Sequence, residues 1–121
     1  MSDPFFDTNI VIDWLRRRPE AARELAGYQK HRISRIAWSE ILAGESEESR
    51  DRIKWMIRQF EVVELDERIA AVAADIRHRT RIKLLDAIIL ATAQVNGGVL
   101  VTRNTKDFPA DLPGIRVPYT L

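Results

Sequence analysis

The chain has 121 residues, of which 45% are hydrophobic and 31% are charged, and it contains only five glycines and five prolines. This composition is typical of one globular domain and excludes a disordered or low-complexity chain. Lys and Arg together number 19, against 18 Asp and Glu. A polybasic arm that binds nucleic acid through net charge alone is therefore excluded.

Cysteine is absent, which excludes disulfides, thiolate nucleophiles and cysteine-ligated metals. No segment approaches the run of about 20 apolar residues that a membrane-spanning helix needs. We therefore expect a cytoplasmic protein that is not embedded in a membrane.

Short apolar runs alternate along the chain with segments of helical periodicity. The apolar runs predict strands at 5–6, 32–37, 62–65, 99–101 and 115–117. Helices are predicted after Asp7-Thr8-Asn9, from Pro19 to a stop at Gly27, at 40–43 behind an N-cap at Ser39, after Ser46, after Asp66 and over 84–95. Such alternation predicts an α/β fold with a buried, mostly parallel sheet, and no linker or repeat divides residues 1–121.

Four acidic residues lie where a predicted strand ends or on a helix beside one: Asp7, Glu40, Asp86 and Asp107. Ligands of parallel sheets bind at the carboxyl ends of the strands, so we expect these carboxylates to converge there. Converging carboxylates repel one another and therefore need a cation. Since all the donors are oxygens, the pattern favours Mg²⁺, with Mn²⁺ as a substitute.

Three of these acids also have an ordinary structural interpretation. Asp7 can cap the helix that starts near Asn9, Glu40 can be a first-turn acid, and Asp107 can form a turn. Asp86 is the strongest candidate, because a carboxylate within an apolar helix has no capping role. Its alternative is a buried ion pair with a nearby arginine.

Four sequence segments follow one another along nearly the whole chain: FFDTNIVID, ISRIAWSEILAG, LLDAIILATA and VLVTRNTKDF. In this order and spacing they resemble PIN-domain ribonucleases of the VapC type, the toxins of bacterial toxin–antitoxin pairs. The resemblance implies a three-layer sandwich with a small, mostly parallel central sheet flanked by helices. It also implies Mg²⁺-dependent endonucleolytic cleavage of RNA by a metal-activated water.

The resemblance assigns metal binding and catalysis to Asp7, Glu40 and Asp86. Many members of the family have an aspartate where this chain has Asn104, so that here either Asp107 takes over that role or a second metal is held weakly. The supporting polar positions, whose side chains orient the carboxylates or a bound water, are Thr8, Asn9, Thr102 and Asn104.

Basic residues precede the helix at 84–95 and flank Asn104, and we expect them to form an RNA-binding rim around the acids. They are Arg77, Arg79, Arg81, Lys83, Arg103 and Lys106. The alternative interpretation is a solvated helix end and loop. The resemblance further implies a cognate VapB-like antitoxin, a homodimer and a larger toxin–antitoxin assembly.

Other classes of protein share parts of this pattern. A haloacid dehalogenase-type phosphatase needs a second aspartate two positions after the first, where this chain has Asn9. A response-regulator receiver would use Asp66 as the phosphoacceptor, but neither class explains Asp86. A catalytically weak PIN-like module that only binds a partner also stays open, because Asn104 carries no charge.

Overall fold

A computed structural model describes residues 2–121. Its strands are β1 (Pro4–Phe6), β2 (Arg32–Ser34), β3 (Glu61–Val63), β4 (Val99–Val101) and β5 (Ile115–Arg116). Its helices are α1 (Thr8–Leu15), α2 (Pro19–Ala26), α3 (Arg35–Ala43), α4 (Glu47–Met56), α5 (Glu67–Arg79) and α6 (Leu84–Val95), with a 3-10 turn at Ile57–Gln59. Within residues 2–121, none of the helices combines the length and the apolar character needed to cross a membrane.

The strands form one sheet in the order β3-β2-β1-β4-β5, and every pair of neighbours is parallel. The chain builds outward from β1 to β3 on one side and then crosses to β4 and β5 on the other. The strand order therefore reverses at β1, and a crevice is expected between the carboxyl ends of β1 and β4. The predicted α/β fold is confirmed, and the sheet is wholly parallel.

The core is centred on β1, β4 and α6. The side chains of Phe5, Phe6, Leu100 and Val101 are buried on the two central strands. Helix α6 buries residues around most of its circumference and packs against α5, β2 and β4. This arrangement explains why its sequence is apolar on nearly all sides.

The region between β2 and α3 differs from the sequence prediction. The predicted strand at 32–37 ends at Ser34, whose hydroxyl accepts a hydrogen bond of 3.0 Å from the Ala37 N–H. Ser34 is thus the N-cap of α3, and the predicted N-cap at Ser39 is wrong. The β-branched residues at 33 and 36 suggested a longer strand, but the cap fixes the helix start. As a result Glu40 lies in the second turn of its helix rather than the first.

Helix α6 has its predicted bounds, but Asp86 lies nearer its start than the interpretation as a carboxylate within an apolar helix implied. Helix α6 begins at Leu84, so Asp86 belongs to its first turn rather than its middle. An acidic residue there interacts favourably with the partial positive charge of the helix N-terminus. The first turn therefore gives Asp86 a favourable structural position even without a capping role.

A buried carboxylate joins α1 to the loop after β4 and to the C-terminal segment. Asp13 is 1% exposed and accepts two hydrogen bonds from the Arg103 guanidinium, of 2.6 and 3.0 Å, and one of 2.8 Å from the Tyr119 hydroxyl. Burial acts to raise the pKa of Asp13, but these hydrogen bonds and the charges of Arg103 and Arg18 outweigh it. The net effect is a pKa below the usual range.

We predict that Asp13→Asn lowers the free energy of unfolding by about 2 kcal/mol near neutral pH. This is less than a fully buried pair would lose, because the Arg103 side chain is 31% exposed. The lowered pKa stabilises the fold above the unfolded-state pKa of about 3.9, and this stabilisation disappears as the pH falls through the folded-state pKa. The difference between wild type and variant should therefore shrink in acid, as measured by urea unfolding.

The matched control is Asp75→Asn, which removes an exposed ion pair with Arg79. It should change stability by at most about 0.5 kcal/mol. A difference between wild type and Asp13→Asn that stays constant from neutral pH to acid would contradict the assignment.

Candidate functional site

A cleft of about 550 Å³ opens at the carboxyl ends of the central strands. Its walls contain all four of the acids singled out in the sequence, together with polar and apolar neighbours. The lining residues are Asp7, Thr8, Asn9, Ile12, Glu40, Lys83, Leu84, Leu85, Asp86, Asn104 and Asp107. Residues from four separate parts of the chain are thus brought to one place by the strand order.

Asp7 lies at the base of this cleft, where β1 ends and α1 begins. It is 4% exposed, and its Oδ1 accepts a hydrogen bond of 2.8 Å from the Thr8 N–H. Its Oδ2 accepts bonds from the Thr102 hydroxyl at 2.7 Å and from the Asn9 amide at 3.1 Å. Asp7 therefore caps α1, as its structural interpretation predicted, and also presents a carboxylate to the cleft.

The pKa of Asp7 is raised to about 6. Burial is the largest cause, because it removes the carboxylate from water. Hydrogen bonds from Thr102 and Thr8 oppose this rise, while the negative charges of Asp86 and Glu40 add to it. Even with these hydrogen bonds, the ionised form of Asp7 is disfavoured by its surroundings.

The other three acids line the cleft in different ways. Glu40 Oε1 accepts a hydrogen bond of 2.6 Å from the Thr8 hydroxyl. Asp86 is half-buried, and its pKa is raised first by burial and then by the charges of Asp107 and Glu40, against an opposing effect of Lys83. No salt bridge among residues 2–121 includes Asp86. The alternative of a buried pair with arginine is therefore wrong.

Asp107 is held by Asn104 within the turn at 104–108. The Asn104 amide donates to Asp107 Oδ2 at 2.8 Å, and the Asp107 N–H donates to Asn104 Oδ1 at 3.2 Å. Asn104, which stands where many family members have the fourth acid, thus positions Asp107 three residues later. Both side chains line the cleft.

Thr102 connects the two halves of the site. It is buried, it donates to Asp7, and its hydroxyl oxygen accepts a hydrogen bond of 3.0 Å from the Asn104 N–H. The Asn9 Oδ1 atom in turn accepts a bond of 3.3 Å from the Arg103 N–H. These contacts fix the loop after β4 against the end of β1.

The donor set fits a hard divalent cation. Among the described residues, no three acidic or histidine side chains are close enough to form a ready-made metal cluster. The four carboxylates nevertheless share one cleft, and their mutual repulsion contributes to the raised pKa values of Asp7 and Asp86. A divalent cation relieves such repulsion, and carboxylate and amide oxygens are the ligands that Mg²⁺ and Mn²⁺ prefer.

The predicted basic rim is only partly present at the cleft. Lys83 lines it, and Arg81 and Lys106 line an adjoining cavity together with Lys83. The predicted rim position of Arg103 is wrong. Its guanidinium is bonded to Asp13, because ion pairing with that buried carboxylate outweighs solvation at the rim. Two further predicted rim residues, Arg77 and Arg79, line neither space, and Arg79 pairs with Asp75.

Asp13 and Tyr119 stabilise the site indirectly, and the sequence analysis did not identify either residue. Asp13 holds Arg103, whose backbone N–H holds Asn9, which contacts Asp7. The available signal was an aspartate between Ile12 and Trp14 in an otherwise apolar helix, the same criterion that singled out Asp86. No local sequence pattern indicates that the Tyr119 hydroxyl contacts Asp13.

The sequence profile of the PIN domain matches residues 5–110. The chain belongs to the PIN-domain family, whose members are generally nucleases and typically use a divalent metal. The membership predicted from the four sequence segments, with VapC-type relatives, is confirmed. None of the curated proteins compared with the chain matches it.

Solved structures resemble the chain over nearly its full length. A chain of a toxin–antitoxin complex from Klebsiella pneumoniae is 38% identical, with a TM-score of 0.91 over 98% of this chain and 100% of that one. A chain of DNA-bound VapBC from Salmonella typhimurium is 25% identical, with a TM-score of 0.76 over 96% of each chain. A chain of FitAcB from Neisseria gonorrhoeae, at 24% identity, shares the fold with a TM-score of 0.80 over 98% of this chain and 100% of that one.

We predict that Asp7→Asn changes how stability depends on pH in buffers free of divalent cations. A raised pKa means that the folded state binds the proton more tightly, so wild type loses stability as the pH rises from about 4 to about 6. Relative to the variant, the loss across this window should reach about 3 kcal/mol. Urea unfolding at a series of pH values measures it.

The exposed acid Asp111 provides the control, because it lines neither the cleft nor the adjoining cavity. Asp111→Asn should follow the wild-type curve. Parallel plots of stability against pH for wild type and Asp7→Asn would show that the pKa of Asp7 is not raised in the folded protein.

Proposed function

We propose that the chain is a single-domain, cytoplasmic, Mg²⁺-dependent endoribonuclease toxin that is inhibited by a cognate antitoxin. The observation that carries this proposal is that four carboxylates share one cleft at the point where the strand order reverses, and that Asp7 is buried at the base of this cleft. Membership of a family of nucleases supports hydrolysis of nucleic acid. The resemblance of the four sequence segments to VapC-type ribonucleases supports RNA as the substrate.

Asp7, Glu40, Asp86 and Asp107 would hold the divalent ion. When bound, the ion supplies Lewis acidity for phosphoryl transfer and activates a water for attack on the phosphodiester. The chain's own contribution is to keep the carboxylates in place before substrate arrives. Orientation of this kind is what the hydrogen-bonding partners of metal ligands provide.

Each carboxylate except Asp86 has an identified partner that fixes its direction. Thr102 and Asn9 hold Asp7 Oδ2, and Oδ1, which accepts a hydrogen bond from the Thr8 N–H, keeps its second lone pair for a metal ion. The Thr8 hydroxyl holds Glu40, and the amide of Asn104 holds Asp107. Lys83 acts on Asp86 by charge and is placed to attract the RNA backbone.

An antitoxin partner is supported by the similar structures. The protein that is 38% identical comes from a toxin–antitoxin complex, and the Salmonella relative comes from DNA-bound VapBC. We therefore propose that a VapB-like protein binds and inhibits this chain, and that a homodimer forms part of the larger assembly.

The alternative enzyme and signalling classes fit the structure less well. Receivers have the strand order 2-1-3-4-5, whereas this sheet has the order β3-β2-β1-β4-β5. The Asp66 carboxylate is used as the N-cap of α5, bonded at 2.8 Å to the Ile69 N–H. Asn9, where a phosphatase of the haloacid dehalogenase type needs an acid, donates its amide to Asp7. A weakly catalytic binding module remains the competing hypothesis, and activity assays decide it.

We predict that Asp7→Asn and Asp86→Asn each lower the rate of RNA cleavage by at least about 100-fold, because each removes a charged metal ligand. Gel analysis of total RNA incubated with purified protein and Mg²⁺ measures cleavage, and EDTA should abolish it. The control Asp75→Asn changes an exposed acid that lines neither the cleft nor the adjoining cavity and should cleave as wild type. Cleavage that survives EDTA, or that both cleft variants retain, would refute the metal mechanism.

A second prediction concerns Thr102, which we expect to position Asp7. Thr102→Val keeps the side-chain shape but removes the hydroxyl bonded to Asp7 Oδ2. The turnover number should fall about 10–100-fold with little change in KM for RNA, because orientation of the ligand is lost and substrate contacts are not. Thr102→Ser restores the hydroxyl and should recover most of the rate. Equal losses in the two variants would assign Thr102 to packing alone.

A further inference from the structure

A second cavity adjoins the acidic cleft, and most of its lining residues have no role in the proposed chemistry. Its volume is about 210 Å³, and it is lined by Thr80, Arg81, Ile82, Lys83, Lys106, Asp107, Pro109 and Leu112. Lys83 and Asp107 line both spaces. A chain molecule bound in the cleft can therefore continue into this cavity, which we call the basic cavity.

The basic cavity carries an excess of positive charge. Arg81, Lys83 and Lys106 are exposed, and none of them takes part in a salt bridge within the described part of the chain. Asp107 is the only acid in its lining, and that carboxylate already accepts a hydrogen bond from Asn104. Arg103, by contrast, forms an ion pair with Asp13. Cations without a partner around a concave space favour an anionic ligand.

The remaining wall of the basic cavity is apolar. A phosphate ion alone would make no favourable contact with this wall. Ile82 is buried, Leu112 is half-buried, and Pro109 completes the apolar surface. The volume is below the about 300–1,000 Å³ of sites that enclose a whole small molecule. The cavity therefore suits one segment of a longer ligand, with a charged part and a flat apolar part.

We propose that the basic cavity is a subsite for one nucleotide of the RNA strand, next to the phosphodiester that is cleaved. Arg81, Lys83 and Lys106 bind its phosphate, and the base lies against Ile82, Pro109 and Leu112. The proposal deepens the proposed function and rests on it for the position of the cleaved phosphodiester in the acidic cleft. An acidic peptide is the competing occupant, and the test below includes it.

The first experiment measures binding without cleavage. The probe is a fluorescein-labelled single-stranded RNA octamer in EDTA, followed by fluorescence anisotropy over a range of NaCl concentrations. The double variant Arg81→Gln/Lys106→Gln should bind about tenfold more weakly and lower the salt slope by up to about 0.7, which is the contribution of the one phosphate that these cations share. The matched control Arg52→Gln/Arg68→Gln removes two exposed cations that line neither the cleft nor the basic cavity. Equal affinity and slope in the two double variants would overturn the subsite.

The second experiment distinguishes a nucleotide from other anions. Methyl NMR signals of Ile82 and Leu112 are followed while adenosine 5′-monophosphate, inorganic phosphate or hexaglutamate is added to wild type. The nucleotide should shift both methyl signals, and inorganic phosphate should leave them in place. Methyl shifts that inorganic phosphate reproduces in full, or that hexaglutamate produces while displacing the RNA octamer, would overturn the proposal.

The two proposals fail in different ways. If wild type cleaves RNA and the Arg81→Gln/Lys106→Gln variant binds the octamer as wild type does, the subsite is refuted and the proposed function stands. If wild type cleaves no RNA but the double variant loses octamer binding, RNA binding in the basic cavity stands, whereas RNA cleavage, and with it a place for the cavity next to a cleaved phosphodiester, is refuted.

Discussion

The structure depends on one constraint: a carboxylate has to be kept at the buried end of a central strand. Asp7 follows two fully buried phenylalanines, and the parallel sheet places it at the point where strand order reverses. Burial makes its ionised form unfavourable. The backbone of α1 and the Thr102 hydroxyl offset part of this cost through hydrogen bonds, and Glu40 and Asp86 add to it through repulsion. Sites that are costly to fold in this way are typical of function.

The near-zero net charge of the chain conceals a separation of charge in space. Acids line the cleft where the strand order reverses, and beside them the basic cavity contains cations that form no salt bridge within residues 2–121. A structural ion pair, Asp13 with Arg103, supports the same site through Asn9, and it neutralises an arginine that was predicted to lie at the rim. A nuclease needs all three arrangements: acids that hold a cation, bases that hold the phosphate backbone, and a fixed frame between them.

Those parts of the fold that follow from local periodicity could be predicted from the sequence. The bounds of α6 at 84–95 and of β4 at 99–101 agree with the structure, because an apolar run that ends in a turn leaves little choice. The end of β2 could not be found in this way, since Ser34 and Ser39 are both serines that can cap a helix, and only the structure shows that the Ser34 hydroxyl bonds to the Ala37 N–H. The four acids of the cleft were found from their positions after strands, whereas Arg103 could not be placed correctly. Its partner Asp13 lies 90 positions away, and that contact exists only when β1 and β4 are neighbours.

The central claim is that the acidic cleft binds a divalent cation. Titration of Mn²⁺ into wild type near neutral pH, followed by electron paramagnetic resonance with Mg²⁺ as a competitor, tests it most directly. The account predicts saturable Mn²⁺ binding that Mg²⁺ displaces, weakened at least about tenfold in Asp86→Asn and unchanged in Asp75→Asn. Absence of binding to wild type, or equal binding by Asp86→Asn, would contradict it.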